Sequence, residues 1–170
     1  MPSQSTRSAQ ALSTVALAFS RDEWELLTTL PRRVLIAATS AEADPECRTV
    51  AEGIAGMEAI AAGRASPSPL VREVVAAIYA ERGADEPAAE EYTDRRAGIH
   101  STLWAGQRAS HLLASKATAP NAAAYREWLT AIAWAVCEAV RGGGPAGPGG
   151  VLVSAAETRF LDELQAVLGT

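Results

Sequence analysis

His100 and His111 are the only histidines in this chain, and they stand eleven positions apart. Eleven residues make three turns of an α-helix, so two side chains at that interval look the same way. Glu127 and Glu138 repeat the interval further on. If the segments carrying them form an antiparallel hairpin turning about residue 119, His111 faces Glu127 and His100 faces Glu138. An imidazole beside a carboxylate offers a hydrogen bond between helices, part of a divalent-metal site, or a general acid-base pair. Each layer supplies only two ligands, the layers lie ~16 Å apart along the helix axis, and the Glu-x-x-His of helical di-metal proteins is absent. Interhelical hydrogen bonding is therefore the plainer reading. Its rival is a metal- or small-molecule-binding site on His100, His111, Glu127 and Glu138.

Other chemistry finds little footing. The run Arg141-Gly-Gly-Gly-Pro-Ala-Gly-Pro-Gly-Gly150 has the glycines of a phosphate loop. It lacks the Gly-Lys-Ser/Thr ending and follows a helical pattern rather than a strand, so it reads as a linker. Cys47 and Cys137 have no partner at Cys-x-x-Cys spacing and read as reduced thiols. No nucleophile elbow or zinc-ligand cluster is present, which points away from an enzyme and predicts no resident cofactor beyond a divalent metal ion.

The elements that must position these residues are helices. The chain of 170 residues is alanine-rich and only 5% aromatic, which favours helix throughout. The net charge of -5, with both signs interleaved, argues against a nucleic-acid surface. No apolar run reaches the ~20 residues of a membrane span. Ala16-Leu17-Ala18 imitates a signal-peptidase site, but the segment before it holds one arginine and a diluted apolar stretch, so a cytoplasmic protein is expected.

Residues 1–18 read as a disordered or frayed segment, and 19–170 as a single all-helical domain of about seven helices. Ser20 and Glu23 form a capping box, with Phe19 and Trp24 as its hydrophobic staple. Pro31 is expected to kink or restart the helix that follows. Thr49 and Glu52 match a second capping box, opening a helix through Ile54, Met57 and Ile60. Its internal glycines, Gly53 and Gly56, read as a place where another helix comes close. Ser68-Pro69 starts the next helix, and Asp85 caps the longest, about 88–117, with Ile99, Leu103, Trp104, Leu112 and Leu113 as its apolar set. Residues 121–140 form the hub: Tyr125, Trp128, Leu129, Ile132, Val136 and Val140 make one stripe and Trp134 points the opposite way, so neighbours are expected on two sides. Ser154 and Glu157 cap the last helix, whose inward face is Phe160, Leu161, Leu164, Val167 and Leu168.

Two segments share one plan of apolar helix, loop, capping box and short helix, giving a pseudo-duplicated layout in which Thr49 corresponds to Ser154 and Glu52 to Glu157. With the ending Glu157-Thr-Arg-Phe-Leu-Asp-Glu-Leu-Gln-Ala-Val-Leu-Gly169, that layout resembles the TerB-like helical domains of tellurite resistance. The resemblance implies a cytoplasmic, all-helical, stress-associated module of membrane-linked complexes, with acidic loops that hold metal ions. Asp44, Glu52 and Glu157 fall on the acidic positions, while Gly149 and Gly150 stand where the pattern has aspartate-glycine. The expectation is thus a non-catalytic interaction or scaffold module with a protein partner or a second copy of itself.

Overall fold

The computed structural model describes residues 15–42, 46–80, 94–139 and 153–169. Six α-helices appear in them: α1 (Arg21–Thr39), α2 (Glu46–Ala62), α3 (Pro69–Ala80), α4 (Arg95–Lys116), α5 (Ala119–Glu138) and α6 (Ala155–Leu168). Short 3-10 turns at Ala16–Ala18 and Gly63–Ala65 complete the set, and the described residues contain no strand. The first fourteen residues, Asp44, Asp85, Val140 and the loop 141–150 lie outside the described residues.

Two of the three expected capping boxes form. The Ser20 hydroxyl accepts from the Glu23 amide at 3.3 Å while the Glu23 carboxylate accepts from the Ser20 amide at 2.7 Å. Phe19 and Trp24 close the staple with ring centroids 6.1 Å apart. Ser154 and Glu157 repeat the exchange at 3.1 and 2.7 Å. The third differs: α2 already starts at Glu46, so Thr49 lies in its first turn and not at the cap. The start of α4 is likewise marked by Asp94, whose carboxylate accepts from the Ala97 amide at 3.1 Å.

Among the described residues the α-helices number six rather than about seven, because Pro31 does not divide α1. A proline inside a helix withholds the amide that would bond to the carbonyl four residues back, here that of Leu27. The Tyr125 hydroxyl of α5 donates to that carbonyl at 2.7 Å. A side chain from another helix thus stands in for the missing donor, and α1 runs on. Complete burial pushes the Tyr125 hydroxyl far above the usual tyrosine range, so it stays protonated and able to donate.

The expected hub also takes shape. Tyr125, Trp128, Leu129, Ile132 and Val136 are all buried, joined by Ala122, Ala133 and Cys137, and α5 touches each of the other five helices. Each large apolar side chain so buried contributes roughly 1.5–3 kcal/mol relative to exposure. α1 shares this role, touching the same number of helices, and one continuous core joins all six. Trp134, on the far side of α5, is 38% exposed, so the helix is buried along one broad stripe only.

Glycine decides how closely α2 meets this centre. A Cβ at Gly56 would lie 2.6 Å from Leu35 Cγ of α1 and 2.9 Å from Val136 Cγ2 of α5. One at Gly63 would lie 2.8 Å from the Trp128 ring, whose Nε1 donates to the Ala59 carbonyl at 3.1 Å. Gly53, by contrast, has open space where its side chain would be.

Directions follow from the contacts. Arg33 meets Ser101, Arg95 meets Ser40 and Lys116 meets Glu23, so α4 runs antiparallel to α1. Gly106 approaches Val167, and the Ser110 hydroxyl donates to the Leu168 carbonyl, so α6 runs parallel to α4. The buried side of α4 is Gly98, Thr102, Ala105, Gly106, Ala109 and Leu113. Small residues let α4 wedge between α1 and α6, and Trp104, expected inside, is 57% exposed.

Candidate functional site

His100, His111, Glu127 and Glu138 all lie on the exposed sides of their helices. α4 spends most of its contact on α1 and α6, and α5 on α2 and α1, so the border between α4 and α5 is narrower than any of these. Among the described residues, no group of three or more His, Cys, Asp or Glu side chains is arranged to hold a metal ion.

The acidic positions of the TerB-like pattern divide in two. Glu52 and Glu157 are buried, 1% and 2% exposed. Glu157 is occupied there by its capping exchange with Ser154. Asp44 lies outside the described residues.

The surface of α2 departs most from the sequence reading. The helix runs through Ile54, Met57 and Ile60 as expected, yet of these three Ile60 alone is fully buried. The inner side of α2 is instead Glu52, Gly56, Ile60 and the following Gly63, a stripe at helical spacing. That rotation turns Val50 and Ile54 outward, 61% and 57% exposed, with Met57 half-buried next to them. Gly53 lies among them without a side chain, and Tyr79 of α3 closes one flank beneath the guanidinium of Arg64, 4.0 Å from its ring centre. The result is a shallow apolar groove of about 460 Å³ with the Glu58 carboxylate at its rim. The clue in the sequence was Gly56 with Gly63: two glycines seven apart on one face mark where a helix is pressed against its neighbours.

The remaining exposed aromatics are single. Trp104 lies under the Arg108 guanidinium, 4.8 Å from its ring centre, and Trp134 stands on the outer side of α5. No helix of the described residues is long and apolar enough to cross a membrane. Comparison with known proteins brings no match, whether to family models, to curated proteins or to solved structures.

Proposed function

We propose that this protein is a non-catalytic helical interaction module, cytoplasmic and of TerB-like type, that docks a partner protein on the outward face of α2. The observation that carries the reading is the exposure of Val50 and Ile54 on a helix whose opposite side is fully engaged in the core. Aliphatic side chains grouped in water mark an interaction surface more often than they serve the fold. The groove runs along one helix, and its residues recur at the 50, 54, 57 interval that an amphipathic partner helix matches with its own anchors. Glu58 at its edge favours a cation on that partner helix.

A photo-crosslinking residue placed at position 54 in the native host tests this. The expected result is one discrete adduct, absent when the probe sits at exposed Gln107 and lost when Val50→Asp is added with the helical circular dichroism unchanged. An adduct with a second copy of the chain would replace the partner by self-association, and no adduct would remove the proposal. The histidine-glutamate reading has its own test, the zinc, iron and manganese content of the purified protein. The module reading expects far less than one equivalent, unaltered by His111→Ala.

A further inference from the structure

Because α4 and α6 run parallel, both begin at the end of the molecule where α1 stops. A cleft of about 560 Å³ opens between these three helix ends, within the size range of small-molecule sites. Its walls carry three guanidinium groups, Arg95 and Arg96 from the first turn of α4 and Arg159 from α6, against the carboxylates of Glu42 and Glu163. In a chain of net charge -5 this is a local reversal of sign. Arg95 is already engaged, donating through Nε and Nη2 to the Ser40 carbonyl at 2.9 and 2.7 Å and so closing the end of α1. Arg96 and Arg159 have no hydrogen-bond or ion-pair partner among the described residues.

Two features give the cleft a chemistry. First, cations in the first turn of a helix stand against the positive end of its macrodipole, an arrangement that lowers stability unless an anion is brought in. α4 places two there, with the capping Asp94 carboxylate, bound to the Ala97 amide, as the acidic group at that end, whereas α1 and α6 carry Glu23 and Glu157 in their first turns. Second, between the charges the wall is apolar, with Ile99 from α4 and Phe160 from α6.

We infer that this cleft binds a small organic anion, its phosphate or carboxylate held by Arg96 and Arg159 and its apolar body resting on Ile99 and Phe160. A guanidinium fork matches either anion in two-pronged fashion. Phosphate ester and carboxylic acid are therefore told apart by experiment.

Titration of the full chain with phenyl phosphate, with benzoate and with benzyl alcohol, followed by backbone amide shifts, is the test. The expected result is a saturable response at Arg96, Ile99 and Ala156 to one or both anions in the millimolar range or tighter, and none to the alcohol. The tighter anion names the class. Arg96→Gln with Arg159→Gln should weaken it about ten-fold or more, the effect of losing hydrogen bonds between charged groups. Arg96→Gln alone should melt no lower than the parent, since it relieves the charge against the dipole. A lower melting point would make Arg96 a structural residue and overturn the inference, as would no saturable shift with either anion, or equal binding by the double variant.

Discussion

The outward face of α2 and the cleft where α4 and α6 begin depart from foldability in opposite ways. The first leaves aliphatic carbon in water at Val50 and Ile54; the second gathers cations where a helix already presents positive charge. Elsewhere the scaffold shows complete capping boxes on α1 and α6, a continuous core, and Gly56 and Gly63 where elements touch. The contrast teaches that the two surfaces can be separated from the scaffold by stability measurement. Residues that build the fold should be costly to change, and residues of the two surfaces should not.

The sharpest check is Gly56→Ala. Its new methyl would meet Leu35 and Val136 well inside contact distance, and a loss of about 1–3 kcal/mol in denaturant unfolding is expected from overpacking. Tyr125→Phe comes next, at about 1–3 kcal/mol for leaving the Leu27 carbonyl buried without its donor. Adding Pro31→Ala should recover part of that loss, because alanine brings back the amide; a cycle with no coupling would refute the account of α1. Ile54→Ser and Arg96→Gln should each change stability by no more than about 0.5 kcal/mol, the scale of ordinary surface substitutions. A large loss at either position would collapse the distinction between surface and scaffold.

The smallest effect is expected at the contact that ties the start of α1 to the end of α4. Lys116 donates to the Glu23 carboxylate at 2.6 Å, and that hydrogen bond, with the Ser20 amide, holds the Glu23 carboxyl below its ordinary value of 4.5. A lowered folded value means that the stabilisation is fully present above pH 4.5 and fades as pH falls through the lowered value. Lys116→Met should therefore differ slightly from the parent at neutral pH and converge with it in acid, in thermal melts across that range.

Much of the fold was legible because helix ends and apolar periodicity are local. Ser20 with Glu23, Ser154 with Glu157 and the Tyr125 to Val136 stripe needed no partner to be read. Pro31 was not legible as a helix interior, because the donor that satisfies the freed Leu27 carbonyl lies 98 positions from it. The inner side of α4 escaped notice since Gly98, Ala105, Gly106 and Ala109 carry little hydrophobic signal, while Trp104 carries a strong one and faces out. The same limit applies to the sites. Whether His111 meets Glu127 depends on which helices share a border, and the arginine cleft joins Glu42, Arg96 and Arg159 from three separate segments. Spacing along one helix cannot express either.

The bond from Tyr125 to Leu27 also bears on the order in which the molecule can form. A chain emerging residue by residue exposes α1 long before α5 exists, and until then the ladder of α1 has a missing rung at its middle. Residues 15–42 alone should show rapid amide exchange on both sides of Pro31, slowing only once the segment bearing Tyr125 is supplied. The first of the described α-helices is thus among the last to become rigid.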